Sequence, residues 1–499
     1  MLGHALDPFS SAVTPFFDNF SIMDPELKIP DERLAQLDRH FDAIQAIILA
    51  RQHPVTGLLP ASTAVTVHGD YTDAWVRDNV YSIYAVWGLA LAYQRHAPDH
   101  RRTRELEYAV VRLMRGLLTS MMSQAGKVER FKHTQDPLDA LHAKYETTTG
   151  RPIVADDQWG HLQLDATSLY LLTMAQMIAG GIDLIWSPVE VAFIQNLIYY
   201  IGRAYRTPDY GIWERGHKMN RGNREINSSS VGIALAALEA LDGFDLYGSR
   251  GDRTTQVHVL PDEIARAQIT LHSLLPWESA SKEVDAATLA VIGFPAFAVD
   301  DEELTERTRS KIVERLQGRY GCKRFLRDGH QTVLEDTNRL YYEPSELKIF
   351  EHIECEWPLF FTYLLLDAHY RGESEIAAEY RTRLEGLEQK RDGVGLLPEL
   401  YYVPASSIEA EKKNPGSQTR LPNENVPLVW AQSLWWLGQM LEDGLLEGSD
   451  LDPLGRHRQR AKPPVAVQPL FLRRMPRLRL IWRTPGSWSN AWMSWMRSN

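Results

Sequence analysis

Residues 189–216 read VEVAFIQNLIYYIGRAYRTPDYGIWERG, a helical segment that runs into a short loop bounded by glycines. Apolar side chains recur at helical spacing before this loop, and a second helical segment follows over residues 226–242. The glycines allow backbone angles that other residues resist. The stretch therefore predicts two helices joined by a tight loop that presents Glu214 beside Trp213.

Glu214 is the first candidate for chemistry. An aromatic wall desolvates a carboxyl group, and a general acid needs this to keep its proton near neutral pH. A solvated loop glutamate without a role is the alternative, and one Trp-Glu pair does not decide between the two.

Helical periodicity extends through most of the chain. We find no convincing series of alternating strands, and twelve helices correspond to six helical hairpins. The predicted helices are 33–52, 76–96, 104–124, 163–180, 188–205, 226–242, 261–275, 284–292, 302–317, 355–370, 375–391 and 427–443.

The connections between these helices are uneven in length. Long ones follow the first, third, fifth, ninth and eleventh helices, and in antiparallel helices every second connection lies at the same end. Connections 243–260 and 276–283 depart from this pattern. Long loops in a compact domain are usually functional. The sequence thus predicts an all-α fold, an (α/α) toroid of six hairpins with its active-site loops on one face. A helical solenoid shares the periodicity, but the sequence has no fixed repeat.

Composition restricts the functional classes. The chain has 499 residues, 44% of them hydrophobic, and a net charge of −11, which argues against nucleic-acid binding. No stretch reaches the roughly 18 apolar residues of a membrane span. Residues 1–15 lack a basic region followed by an apolar run, so we expect no secretory signal and a cytoplasmic location. The two cysteines, Cys322 and Cys355, are expected to be buried free thiols.

The amino-acid composition divides the chain into three parts. We predict an N-terminal extension over 1–32, the helical toroid over 33–455, and a basic, Trp-rich tail over 456–499. The tail holds ten Lys and Arg and no Asp or Glu. It is interpreted either as a disordered extension or as a segment that docks on a protein partner or another acidic surface.

Polar side chains stand beside aromatic ones in the long loops. Arg77 and Asp78 follow a Trp where a helix begins, and such a pair can donate to and accept from neighbouring hydroxyls. Segment 156–165, DDQWGHLQLD, is dense in hydrogen-bonding groups and suits a sugar. Its adjacent aspartates also resemble metal ligands, but no further carboxylate follows at ligand spacing, so we expect no metal.

A second loop glutamate completes the candidate site. Glu399 follows a proline in a loop that is expected on the same face as Glu214. Two carboxyl groups that meet across a sugar can hydrolyse a glycosidic bond, one as acid and the other as base.

Seven segments together resemble one known family. They are similar to the N-terminal domain of phosphorylase b kinase regulatory subunits alpha and beta, which is itself similar to the glucoamylases of glycoside hydrolase family fifteen. The resemblance covers roughly residues 34–455. The segments are HPVTGLLPAST (53–63), AWVRDNVYSIYAVWGLALAY (74–93), DDQWGHLQLDATS (156–168), GIWERG (211–216), QGRYGCKRFLRDG (317–329), NRLYYEPSELKIFEHIECEWPLFF (338–361) and LLPELYYV (396–403).

The resemblance implies roles for individual residues. Glu214 matches the general acid of the glucoamylases and Glu399 the general base. Where those enzymes usually carry a second acidic residue after the acid, this sequence has Arg215, as the kinase subunits do. The implied sugar-binding residues, of which Trp159 and Asp165 match more loosely, are Arg77, Asp78, Trp159, Asp165, Trp213, Arg215 and Arg319.

Two functions remain open on the sequence. One is an inverting exo-acting α-glucosidase that cleaves glycogen-like α-glucans or malto-oligosaccharides without a metal or other cofactor. The other is a non-catalytic, glucan-sensing or regulatory subunit of the phosphorylase kinase type. The intact glutamate pair favours the enzyme, whereas Arg215 and the closer kinship to the kinase subunits favour the regulatory module.

Overall fold

The computed structural model describes residues 31–62, 65–66, 69–157, 161–213 and 220–459. Sixteen helices lie in these ranges. They are α1 (Asp31–Ile47), α2 (Val76–His96), α3 (Arg101–Met122), α4 (Ala125–Thr134), α5 (Leu164–Ala179), α6 (Pro188–Ala204), α7 (Ser228–Leu241), α8 (Pro261–Leu274), α9 (Leu289–Ile292), α10 (Glu302–Leu316), α11 (Leu359–Arg371), α12 (Ser374–Glu385), α13 (Ile408–Lys413), α14 (Val429–Glu442), α15 (Gly448–Leu451) and α16 (Arg456–Gln459).

Six helices close a ring within the described part of the chain. Helices α2, α5, α7, α9, α11 and α14 contact one another in that order, and α14 returns to α2. Helices α1, α3, α6, α8, α10 and α12 alternate with them along the sequence and pack outside. The predicted (α/α) toroid is confirmed.

The two layers differ in the sequences that form them. An inner helix such as α5 is buried on nearly every side, as expected for a helix that is apolar all round. An outer helix such as α3 buries one stripe, which includes Leu106, Val110, Leu113 and Leu117. Because the outer stripes face the inner ring, the layers share one continuous core.

Glycines let inner helices approach closely. A Cβ added at Gly232 of α7 would lie 2.2 Å from a methyl group of Val291 in α9, and one at Gly438 of α14 would lie 2.4 Å from a methyl group of Leu365 in α11. Helix starts are also encoded locally. Ser187 caps α6 by accepting a hydrogen bond from the backbone amide of Glu190.

Helix α4 and the end of helix α12 were predicted wrongly, each for a local reason. The predicted loop 125–162 contains helix α4, whose short amphipathic segment directly follows α3. The predicted helix 375–391 ends at Glu385. Residues after it form a hairpin, because Asp392 and Gly393 adopt the positive φ angles of a tight two-residue turn.

Short two-stranded sheets brace the loops at the ends of the inner helices. The strands are β1 (Val65–Thr66), β2 (Gly69–Asp70), β3 (Ala74–Trp75), β4 (Lys144–Tyr145), β5 (Gln389–Arg391), β6 (Val394–Leu396), β7 (Tyr401–Tyr402) and β8 (Leu421–Pro422). They form four antiparallel pairs, β1 with β2, β3 with β4, β5 with β6 and β7 with β8. The β3–β4 pair lies directly before α2, and the β7–β8 pair follows Glu399.

Other expectations from the sequence concern the surface and the thiols. No helix in the described ranges combines the length and apolarity needed to cross a bilayer. Cys322 and Cys355 are buried free thiols, as predicted.

Arg456, the first residue of the predicted tail, is buried and donates to the carbonyl of Ala296 and the carboxylate of Glu239. The N-terminal residues 1–30 and the tail from residue 460 onward lie outside the described residues.

Candidate active site

An ion pair joins the first turns of two inner helices. Arg77 in α2 donates from Nη1 to Oδ2 of Asp165 in α5 over 2.7 Å, and both side chains are almost fully buried. Its second terminal nitrogen donates to the backbone carbonyl of Ile212 over 2.8 Å. One guanidinium therefore connects α2, α5 and the segment that leads to Glu214.

Asp78 stands next to this ion pair and is itself buried. Burial raises the pKa of Asp78 from 3.8 to about 6, Arg77 opposes that rise, and the charges of Glu399 and Asp165 add to it. The charge of Glu399, which is distant in the sequence, thus acts on the carboxyl group of Asp78. The Arg77 and Glu399 regions belong to one electrostatic environment.

The carboxylate of Glu399 is held by three neutral donors. Its Oε2 accepts from Nδ2 of Asn423 at 2.7 Å and from Nε2 of Gln331 at 3.1 Å. Its Oε1 accepts from the hydroxyl of Tyr71 at 3.3 Å. Its backbone amide donates to the carbonyl of Asn425, which fixes the loop beneath it. These hydrogen bonds fix the orientation of the carboxylate.

Trp213 forms a buried aromatic wall. Its indole nitrogen donates to both oxygens of Asp285, at 2.9 and 3.1 Å. The guanidinium carbon of Arg324 lies 4.7 Å from the Trp213 ring centre and 5.3 Å from that of Trp357, so a cation sits against both indoles. Arg324 is in turn paired with Asp328.

Sequence reasoning did not find several of these residues. Tyr71, Gln331 and Asn423 act on Glu399 from three separate connections, and no spacing rule links them. Asp285 and Arg324, which fix Trp213, lie in the loops before α9 and α11. Arg324 lies in segment 317–329, where the family resemblance points to Arg319 instead.

The side chains around Arg77, Glu399 and Trp213 come from one end of the ring. They lie in the connections before α2, α7, α9, α11 and α14 or in the first turns of α2 and α5. Inner helices share a direction, so these connections meet on one face.

The remaining predicted site residues fall into two groups. Glu214, Arg215 and Trp159 lie outside the described residues. Arg319 is exposed, and it donates to the carbonyl of Gln418 and to the hydroxyl of Tyr320. Its contact with a sugar stays a prediction.

The sequence carries the pattern of a known family along most of its length. Residues 35–482 match the model of the family described as glycosyl hydrolases family 15. The chain belongs to glycosyl hydrolases family 15. This family membership agrees with the resemblance drawn from the seven segments, and the charged residues at the end of the ring are its candidate active site.

Relatives within the family are regulatory proteins by name. The chain is 54% identical over 456 residues to the phosphorylase b kinase regulatory subunit alpha, skeletal muscle isoform, of Oryctolagus cuniculus, a match that covers 90% of this chain and 36% of the relative. It is 52% identical over 442 residues to the probable phosphorylase b kinase regulatory subunit alpha of Drosophila melanogaster, covering 88% and 35%. The chain thus spans about a third of the length of these relatives.

Solved structures with a similar fold are glycosidases. A wild-type glycosidase matches with a TM-score of 0.56 and 17% identity, over 84% of this chain and 99% of that one. A glycosidase variant in complex with glucose matches with the same values. At this identity the likeness concerns the fold of this family 15 chain.

Proposed function

We propose that this chain is a regulatory-subunit-type member of family 15 that binds the non-reducing end of an α-glucan at the site formed around Arg77, Asp78 and Glu399. Relatives that are 52–54% identical carry the name of a kinase regulatory subunit, which supports the regulatory part of the proposal. The buried charges around Arg77 support the glucan part, and they are the observation that carries it.

These charges are costly to the fold. Burying an ion pair removes two groups from water, and its attraction often only offsets that loss. Asp78 adds a further carboxyl group whose pKa is raised by burial. Oδ1 of Asp165 is buried and accepts no hydrogen bond from the described residues. Donors and acceptors that converge in one buried site are what a sugar with several hydroxyl groups requires.

A kinase partner is part of the same proposal. The relatives are named as subunits of phosphorylase b kinase, and this chain matches about a third of their length. We infer that a protein that contains this domain assembles with a kinase catalytic chain and reports glucan occupancy to it.

Inverting hydrolysis is the second candidate function, and the environment of Glu399 favours it. Three neutral donors hold its carboxylate in one orientation. An ionised carboxylate is what the activation of water requires, while Glu214 would protonate the departing oxygen. Inverting glycosidases hold such a pair roughly 6.5–9.5 Å apart.

Binding and turnover can be separated in one series of measurements. Calorimetry with maltose through maltoheptaose measures affinity, and NMR of the product anomer detects hydrolysis. We expect Asp78→Asn to weaken binding by about tenfold or more, since a charged hydrogen bond contributes about 1.5–3 kcal/mol. Glu399→Gln should retain binding and remove any turnover. Glu424→Gln is the matched control, because Glu424 is an exposed carboxylate in the same connection.

The outcomes distinguish the two functions. Saturable binding that depends on Asp78 with no glucose release supports the regulatory module. Release of the β-anomer that is lost in Glu399→Gln and kept in Glu424→Gln establishes the inverting hydrolase. Absence of binding to every oligosaccharide, with the folded state verified by circular dichroism, would overturn the glucan site itself.

A further inference from the structure

Two histidines and an aspartate that the glucan site does not use come together beside it. His142 precedes strand β4, whereas Asp156 and His161 lie in the connection that leads into α5. One ligand atom from each of the three side chains lies within 4.8 Å of the other two. The two imidazole rings are 3.6 Å apart between centres, tilted by 44°. Both histidines are buried, and Asp156 reaches the surface.

The hydrogen bonds of the rings identify which nitrogens carry protons. Nε2 of His161 lies 3.2 Å from the carbonyl of Ala155, and a carbonyl only accepts, so this nitrogen is the donor. Nε2 of His142 lies 2.6 Å from Oδ1 of Asp156 and donates to that carboxylate. Nδ1 of His142 is buried without a hydrogen-bond partner among the described residues, so it can carry the ring proton when Nε2, beside Asp156, ligates an ion.

Both imidazoles are suited to bind a cation in their neutral form. A metal ion is ligated by the ring nitrogen that carries no proton, and a neutral imidazole has one such nitrogen. The bond from His161 to Ala155 also has the form of the backbone contact that orients a metal-bound histidine.

We propose that His142, Asp156 and His161 form a binding site for one divalent first-row transition-metal ion such as Zn²⁺. Two imidazole nitrogens and one carboxylate are a ligand set for zinc and for non-haem iron, and they leave positions open for water. Calcium and magnesium prefer sites made only of oxygen ligands, so the two rings select against them. The residues near Asp156 in the sequence predict no metal, because the third ligand, His142, is distant in sequence and meets Asp156 only in the folded chain.

Lys127 of α4 is the competing cation at this site. Its ammonium lies 2.7 Å from Oδ1 of Asp156 and also donates to the carbonyl of Leu138 over 2.7 Å. A metal ion would displace Lys127 from the carboxylate, and the bond to Leu138 can remain. Metal affinity should therefore rise when the lysine charge is removed.

The position of the cluster connects it to the glucan site. His142 lies two residues before β4, which pairs with β3 immediately ahead of Arg77. His161 lies four residues before Asp165, the partner of Arg77. A bound ion would connect the two chain segments that lead to this ion pair.

Zinc titration of the chelator-treated full chain tests the proposal. Isothermal calorimetry should give one Zn²⁺ per chain, and Zn²⁺ should raise the thermal unfolding midpoint. Asp156→Asn and His142→Gln should each weaken binding by at least about tenfold, because even the loss of a group that only orients a ligand has an effect of that size. Lys127→Gln should strengthen binding by about tenfold, as expected for removing one nearby charge.

The control is His133→Gln. His133 is exposed and lies 3.7 Å from one carboxylate oxygen of Glu129, so this change should leave zinc affinity unaltered. Asp156 is exposed, so Asp156→Asn preserves the fold even where the buried His142 variant does not. Absence of stoichiometric zinc binding, or binding that Asp156→Asn leaves intact or His133→Gln abolishes, would refute the site.

Discussion

Replacing Arg77 by Met should destabilise the protein by about 3–5 kcal/mol. The change leaves Asp165 as a buried charge without its partner 2.7 Å away, and breaking a buried ion pair from one side has a cost of this size. The carbonyl of Ile212 also loses a charged donor. The pair can be removed more cheaply as a whole, because Arg77→Met combined with Asp165→Leu leaves no isolated charge. The double variant should recover at least about 2 kcal/mol of the summed losses of the single variants.

Urea unfolding, followed by circular dichroism, measures these free energies. Arg95→Met is the control, because Arg95 lies at the other end of the same helix and pairs with Glu447 and Asp450 at the surface. An exposed pair should contribute less than about 1 kcal/mol. The reasoning is refuted if Arg77→Met costs less than about 1 kcal/mol, or if the double variant shows the plain sum of the single losses.

Three further predictions concern Asp78, Glu399 and the outer layer. The pKa of Asp78 is raised to about 6, so its contribution to stability is complete below pH 3.8 and is lost as pH rises through 6. Relative to the unsubstituted chain, the free energy of unfolding of the Asp78→Asn variant should therefore rise by up to about 3 kcal/mol between pH 4 and pH 7. Urea unfolding measures this difference, and a difference that stays constant with pH would contradict the buried charge. Asn423→Asp would place a second carboxylate 2.7 Å from Glu399. The thermal unfolding midpoint should therefore fall at pH 7, and the fall should become smaller toward pH 4. Gly116→Ala in α3 would bring a Cβ to 2.0 Å from the carbonyl oxygen of Thr56, and we expect a loss of about 1–3 kcal/mol; an unchanged unfolding midpoint would show that the contact is looser.

The sequence predicted the helices better than the site. All twelve expected helices are present, because an apolar stripe or an apolar interior is written into each segment. The hairpin after α12 was missed although its Asp-Gly turn is a recognised signal, since the helical pattern beside it dominated the interpretation. Helix α4 was missed because it is short and follows α3 after only two residues.

Within the site, residues close in sequence were the ones found. Arg77 and Asp78 are adjacent, and Glu399 stands in a compact motif, so local pattern and family resemblance sufficed to select them. Tyr71 and Gln331, which hold Glu399, are separated from it by 328 and 68 positions. Only the closing of the helical ring brings them to the same carboxylate.

By itself, therefore, the amino-acid sequence determined the all-helical architecture, the alternation of inner and outer helices and the charged residues to examine, because helical periodicity and capping act over a few residues. The tertiary structure alone decided that Arg77 pairs with Asp165 and reaches the carbonyl of Ile212, and that His142 meets Asp156 and His161. Such pairs depend on which ends of the inner helices meet, and that is fixed by packing the whole ring rather than by any short stretch of the chain.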